Sequence, residues 1–194
     1  MHTECKKLVQ VLNYIAEKSS GKIQYNKAVS LLYLLDRFYL RTIASFVSGG
    51  IWYLTDATLT NSALRDLIKG ADTCQEMIEY AKEYLDINYT EIQSRKPFNR
   101  EECHCFDMEA MTFILEQFNN FTAVDLQEFI AELPEIAGAG RVYQRIKSPV
   151  RIATSAILKD STLDYILLKK FALKNDPFYQ PEQVLMEIRK HARV

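Results

Sequence analysis

The densest group of metal-ligating and nucleophilic side chains in this 194-residue sequence is the run Cys103, His104 and Cys105. Thiolates and imidazole nitrogens bind zinc well, and a cysteine beside a base can act as a nucleophile. A C-x-C pair with one histidine is an incomplete zinc site, because structural zinc normally shows paired ligands at fixed spacing. The other candidate ligands are spread along the chain: His2, Cys5, Cys74 and His191. We interpret residues 103–105 as a polar loop without metal or cofactor, and a Cys/His metal-dependent enzyme is the weakest alternative.

Catalytic sequence motifs are absent elsewhere as well. The sequence contains no glycine-rich phosphate loop, no G-x-S-x-G and no H-E-x-x-H, and its six glycines leave little material for a phosphate cradle. We therefore predict no catalytic residues and a protein that is not an enzyme.

A basic segment, residues 141–151, carries four Lys and Arg residues and no acid. Its basic and aromatic members are Arg141, Tyr143, Arg145, Lys147 and Arg151. Arginine forks suit phosphates or the acidic face of a protein partner. The calculated pI of 6.3 lacks the strongly basic footprint of a dedicated nucleic-acid binder. A nucleic-acid-binding regulator working through 141–151 is therefore the alternative to a protein-binding function.

The charges are distributed unevenly along the chain. Residues 1–140 hold 13 Lys and Arg against 20 Asp and Glu, whereas residues 141–194 hold 11 against 5. Either the basic part binds an anionic partner, or it pairs with the chain's own acidic helix around Glu76, Glu79 and Glu83. Composition alone does not choose between these two readings.

An aromatic pair, Trp52 and Tyr53, follows the glycines Gly49 and Gly50. Aromatic and arginine side chains most often anchor protein interfaces, although a tryptophan beside a buried helix is more often core. Strand alternation would place the two rings on opposite faces. The candidate partner-binding residues are Trp52, Tyr53, Arg141, Tyr143 and Arg145.

Hydrophobic periodicity predicts the elements that would position these residues. Leu8, Val11, Leu12 and Ile15 form the stripe of a first helix, and residues 26–43 are apolar on most sides, which is typical of a central buried helix. The remaining predictions follow the chain: a small hairpin or irregular strand pair around Gly49–Gly50, a helix capped at Thr60 or Asn61 and ended by Gly70, a helix over 73–85, a strand over 87–92, a loop over 94–102, a helix capped by Asp107, a Thr122–Asp125 capping box whose helix ends at Pro134, a flexible joint at Gly138–Gly140, and helices over 163–173 and 182–192.

Length and composition set the fold class. The chain has the size of one domain, is 48% hydrophobic, and contains no apolar run near the roughly 20 residues of a membrane-spanning helix. Its four cysteines are too few for a disulfide scaffold. We expect a mainly α protein: a single compact helical domain over 1–194 around a buried central helix, with a small antiparallel β element, soluble in the cytoplasm and without a membrane partner.

Several segments in this order resemble the Panacea domain, the SocA-like antitoxin family. Residues 27–40 (KAVSLLYLLDRFYL) are similar to a helix near the start of that domain. Residues 49–53 resemble its glycine turn and aromatic strand, and 61–69, 106–118 and 121–129 resemble its later helical segments. The resemblance covers about residues 6–135, and 141–194 is a basic helical C-terminal part. The chain resembles a divergent member, with Ala57–Thr58 where the family has Gly-Pro and Tyr39 where it has His.

The resemblance implies a function that composition and residue spacing alone do not indicate. It implies a non-enzymatic protein-binding antitoxin, bacterial or from a phage, that neutralises a toxin encoded nearby. In some members of the family it implies an adaptor that delivers the toxin to a protease.

Overall fold

The computed structural model describes residues 2–56, 58–70 and 75–159, with only the backbone of 2–5 and of Lys159. The helices are α1 (His2–Lys18), α2 (Tyr25–Ile43), α3 (Ser62–Lys69), α4 (Gln75–Tyr84), a 3-10 turn (Arg100–Glu102), α5 (Cys105–Phe118), α6 (Ala123–Ala131), α7 (Pro134–Ile146) and α8 (Thr154–Lys159). The strands are β1 (Lys22–Gln24), β2 (Trp52–Thr55), β3 (Thr58–Asn61), β4 (Leu85–Ile87), β5 (Glu91–Ser94) and β6 (Val150–Arg151). This confirms the mainly α class with a small antiparallel β element. The helices predicted over 163–173 and 182–192 lie outside the described residues.

The α2 helix is the centre of the core, as predicted from its apolar composition. Every residue from Ala28 to Leu40 is buried. The helix packs against α5 and α6, and α1 adds its stripe of Leu8, Val11, Leu12 and Ile15 to the same cluster. Burial on all sides also encloses the polar residues of α2, so each of them needs a partner inside the protein.

The strands form two antiparallel three-stranded sheets, ordered β1-β5-β4 and β3-β2-β6. The single strand predicted over 87–92 is wrong, because a turn at Asn88 divides it into β4 and β5. The Asn88 side-chain oxygen accepts the N–H groups of Thr90 at 2.8 Å and Glu91 at 3.0 Å. An asparagine that binds the backbone two and three residues ahead closes a turn in this way.

The glycine pair does not form a hairpin turn, so that prediction is wrong as well. Gly49 and Gly50 precede the β2–β3 hairpin, whose turn contains Asp56 in the left-handed conformation, with φ 45°. Gly50 is required by a close approach, since a Cβ there would collide with the side chain of Asn61. Asn61 is itself the predicted cap of α3, accepting the Leu64 N–H at 3.1 Å, and Gly70 ends that helix with φ 65°.

Gly138 and Gly140 lie inside α7, so the predicted flexible joint is wrong. Pro134 occupies the first turn of α7, where proline is tolerated, and Ile136 and Ala139 bury its inner side. A Cβ at Gly140 would lie 3.8 Å from Leu54 Cδ2, an ordinary contact. Packing therefore overrides the roughly 1 kcal/mol that each helical glycine costs relative to alanine.

The other two capping predictions have different outcomes. The Thr122–Asp125 box is confirmed, with the Thr122 N–H bound to the Asp125 carboxylate at 2.7 Å. Asp107 is the third residue of α5 rather than its N-cap. Its carboxylate reaches back to the N–H of His104, the residue before the helix, at 2.7 Å.

The two classes of glycine yield a paired prediction. Gly50→Ala should lower the free energy of unfolding by about 1–3 kcal/mol, because its Cβ collides with buried Asn61. Gly138→Ala should raise it by about 0.5–1 kcal/mol, since it adds a better helix former with only Arg141 Nη2 at 3.9 Å from the new Cβ. Urea denaturation measures both, and equal signs would contradict these two roles.

Candidate functional site

Asp36 is a fully buried carboxylate in the middle of α2, with a relative exposure of 0%. It accepts the Ser48 N–H at 2.9 Å, the indole Nε1–H of Trp52 at 2.7 Å, and the Ser48 hydroxyl. Burial raises the pKa of Asp36 to about 6, and the hydrogen bonds from Ser48 and Trp52 oppose that shift. These bonds join α2 to the loop that follows it and to β2.

Arg37, the next residue of α2, forms a buried ion pair with Glu135 of α7. Arg37 Nε lies 2.7 Å from Glu135 Oε1, and the Tyr33 hydroxyl donates to the same oxygen at 2.8 Å. A buried charge without its partner is strongly destabilising, so this pair fixes the start of α7 against α2.

Tyr39 connects α2 to α5 through Asp107. Its hydroxyl donates to the Asp107 carboxylate, which also lies 2.7 Å from Lys7 Nζ. Burial on its own would raise the pKa of Asp107, but the hydrogen bonds from Lys7, Tyr39 and the His104 N–H together lower it. Burial, and then the bond to Asp107, raise the pKa of Tyr39.

The three carboxylates have a common chemical character. Each is bound by donors from elements distant in sequence, so each joins two parts of the fold. Hydrogen bonds to an ionised carboxylate stabilise that form, so they lower the pKa of Asp107 and oppose the effect of burial on the pKa of Asp36. These clusters therefore explain how α2 is held in place, and we assign them no reaction.

The structure separates the members of the Cys103–Cys105 run. Cys103 is half-buried beside α5, whereas His104 and Cys105 are exposed. Burial, followed by the charge of Asp107, raises the pKa of the Cys103 thiol to about 11, which keeps it protonated at neutral pH. In the part of the chain that the structure describes, no group of three His, Cys, Asp or Glu side chains could hold a metal ion. Cys74 and His191 lie outside that part, as do the side chains of His2 and Cys5.

Trp52 does not lie on the surface, so its selection as a partner-binding residue is wrong. Its relative exposure is 2%, and its ring packs edge-on against Tyr33 with centroids 5.1 Å apart. The indole N–H is used by Asp36. Its neighbour Tyr53 faces the other side of the sheet, half-buried, opposite Thr60 of β3 and Arg151 of β6.

The other candidates lie on α7, which packs against the opposite face of this sheet, the one that carries Leu54. Arg141 and Arg145 are exposed and one helical turn apart, and Tyr143 is half-buried. Two aliphatic side chains accompany the arginines: Val142 is 43% exposed and Ile146 is 55% exposed. We call Arg141, Val142, Arg145 and Ile146 the α7 face. The structure therefore divides the predicted residues into a core tryptophan, a tyrosine on the outer sheet face, and the α7 face.

The arginines of the α7 face are not paired with the acidic side of α4. Glu83 of α4 lies 2.6 Å from Lys96, and Glu79 accepts from Gln75 at 3.0 Å. Over the described ranges, neither Arg141 nor Arg145 forms an ion pair or a side-chain hydrogen bond. The sequence left two hypotheses for the basic part: pairing with the acidic α4 or binding of an anionic partner. The observed arrangement fits the second hypothesis, because these arginines remain available to a partner.

The sequence reasoning missed the aliphatic half of the α7 face. Gly138 and Gly140 led to the prediction of a flexible joint instead of a helix. Without a predicted helix, the spacing of Val142 and Ile146 did not indicate a common helix face. A signal was present, since Pro134 followed by Glu135 is a typical first helical turn.

In comparisons with known proteins, no protein-family model, no curated protein and no solved structure matches the chain. The resemblance to Panacea domains therefore stays a prediction. None of the helices within the described residues has the length and apolar character needed to cross a membrane.

Asp36 supplies a prediction on stability and its pH dependence. Asp36→Asn should lower the free energy of unfolding by about 1–3 kcal/mol. The reason is that the NH2 group of the new amide is a hydrogen-bond donor, and it would face the donor groups of Ser48 and Trp52. The pKa of Asp36, about 6, lies above the ordinary 3.8, so the folded state binds a proton more readily between these values. The contribution of Asp36 to the stability of the natural protein should therefore fall as pH rises through that window.

Denaturation of both proteins at pH 4 to 7 provides the measurement. The deficit of Asp36→Asn should be largest near pH 4 and shrink towards pH 7. A deficit that grows with pH would mean that the three donors outweigh burial and lower the pKa of Asp36.

Proposed function

We propose that this chain is a non-enzymatic, protein-binding antitoxin that neutralises a toxin encoded nearby, and that the α7 face contacts the toxin. The Panacea resemblance supplies the class of function. The observation that supports the contact surface is the combination of exposed arginines without partners among the described residues and exposed aliphatic side chains on the same helix.

The composition of the α7 face suits a protein partner. At about 100° per residue, Arg141, Val142 and Arg145 lie within roughly one third of the helix circumference, with Ile146 beside them. Arginine can bind carboxylates through two parallel hydrogen bonds, and aliphatic side chains add area that is removed from water. The expected partner therefore presents acidic residues around an apolar patch.

The helix that carries this face is held rigidly from the inside. Glu135 at its start is bound to Arg37 and Tyr33, and Ile136 and Ala139 are buried in the core. A face that is ordered before binding loses less conformational entropy on association. This is the property expected of a surface that sequesters a partner by complementarity.

Two modes of neutralisation are compatible with such a contact. The antitoxin either covers the toxin's active surface or delivers the toxin to a protease. The half-life of the toxin in cells separates the modes, because delivery shortens it and sequestration does not.

A nucleic-acid-binding regulator is the second candidate, favoured by the four exposed basic residues Arg141, Arg145, Lys147 and Arg151. Such binding releases counterions, so its affinity should fall steeply and linearly with salt on logarithmic axes. The interleaved Val142 and Ile146 and the formal charge of −1 for the whole chain favour the protein partner instead.

Charge reversal on α7 tests the proposal directly. The tagged chain is co-expressed with its untagged genomic neighbour, and we expect a stoichiometric complex and rescue from a neighbour that is toxic alone. Arg141→Glu with Arg145→Glu should weaken the complex at least about tenfold, a loss of about 1.4 kcal/mol, measured by titration calorimetry.

Arg100→Glu is the matched control, because Arg100 is also exposed but belongs to the 3-10 turn that contacts α1. It should leave the affinity unchanged. A neighbour that neither binds nor kills would contradict the antitoxin function, whereas a normal complex with the doubly reversed variant would contradict only the α7 contact.

A further inference from the structure

A cavity of about 440 Å³ lies between the end of α3, the helix α4 and the strand β4. Its apolar lining consists of Leu67, Ile68, Ile78, Ala81, Leu85 and Ile87. This volume falls within the range of pockets that bind small ligands or single side chains of a partner. The cavity shares no lining residue with the α7 face.

The charged lining of this cavity is predominantly basic. Its charged residues are Lys69, Lys82, Asp86 and Arg95. Asp86 is neutralised by Arg95, with Nη2 2.9 Å from Oδ2, and the other guanidinium nitrogen of Arg95 donates to the Lys82 carbonyl at 3.2 Å. Neither Lys69 nor Lys82 has a side-chain ion-pair partner within the ranges described, so two lysines without an ion pair line the cavity.

The strand β4 lies at the edge of its sheet and lines the same cavity. The Arg95 N–H binds the Tyr84 carbonyl, and the Asn88 N–H binds the Glu91 carbonyl, so even-numbered residues of this strand point their backbone groups towards β5. Antiparallel pairing alternates, and Ile87 therefore directs its N–H and C=O away from β5. That direction offers a donor and an acceptor to an added strand.

We propose that the cavity and the open edge of β4 form a docking site for an extended segment of a partner protein, in which an apolar residue has acidic residues two positions away on the same face. The segment pairs its backbone with Ile87 and places an apolar side chain in the cavity. Its carboxylates reach Lys69 and Lys82. An extended peptide can contact the apolar cavity, the two lysines and the strand edge together, whereas a small apolar acid leaves the strand edge unused.

The probe is the fluorescein-labelled hexapeptide Asp-Asp-Ile-Ile-Asp-Asp, in which each strand face carries one isoleucine with an aspartate two positions away on either side. It is titrated with the full chain and followed by fluorescence anisotropy. We expect saturable binding that Lys69→Glu with Lys82→Glu weakens at least tenfold. Lys22→Glu is the matched control, since Lys22 is exposed on β1 at the other edge of this sheet. It should bind the peptide normally, as should the Arg141→Glu, Arg145→Glu variant if the two sites are independent.

The strand pairing has its own measurement. Hydrogen exchange of the Ile87 amide should slow when the hexapeptide binds. Ile87→Pro removes a donor that points away from β5, so the β4–β5 ladder is retained and peptide affinity falls, whereas Ile87→Val keeps both donor and affinity.

Three results would overturn the proposal. They are binding that does not saturate at millimolar peptide, an affinity that does not change when the charges of Lys69 and Lys82 are reversed, and hydrogen exchange of the Ile87 amide that does not slow in the complex. Octanoate, a straight-chain carboxylate, is the comparison ligand. If octanoate binds in the cavity and the hexapeptide does not, the site takes small acids and the peptide proposal is wrong.

Discussion

The burial of polar side chains within α2 is the constraint on which the rest of the structure depends. Asp36, Arg37 and Tyr39 lie on a helix enclosed on all sides, and a buried charge without a partner costs several kcal/mol. Their partners are distant: Ser48 and Trp52 for Asp36, Glu135 for Arg37, and Asp107 for Tyr39. A shift of β2, α5 or α7 along α2 would break one of these bonds, so they fix the register in which these elements pack on α2.

In this arrangement, the residues that stabilise the fold are different from the residues that are exposed to a binding partner. The residues 27–40 that carry the Panacea resemblance are mostly interior, and their polar members bind other parts of the same chain. Recognition must then come from surfaces that these anchors keep rigid. The α7 face is one such surface, because Glu135 fixes the helix from within while Arg141 and Arg145 remain exposed.

The two proposed surfaces differ in the physics of binding. The α7 face is a convex helix side that combines arginine with aliphatic area. The cavity beside β4 is concave, and it adds unused backbone groups to two lysines and an apolar floor. Both favour anionic partners although the whole chain is slightly acidic, since local arrangement rather than net charge sets the potential that a partner meets.

Local sequence signals are enough to predict several helices: the stripe of α1, the apolar α2, the Asn61 and Gly70 ends of α3 and the Thr122 box. Hydrophobic periodicity also predicts the mainly α class. The other features depend on contacts between residues that are far apart in the sequence, so local signals do not predict them. The clash at Gly50 depends on Asn61, α7 packs against β2 although it contains Gly138 and Gly140, and the indole N–H of buried Trp52 binds Asp36. The turn closed by the Asn88 side chain divides a segment that β propensity predicts as one strand. The backbone groups of Ile87 that point away from β5 follow from the pairing register of β4 and β5, which depends on both strands.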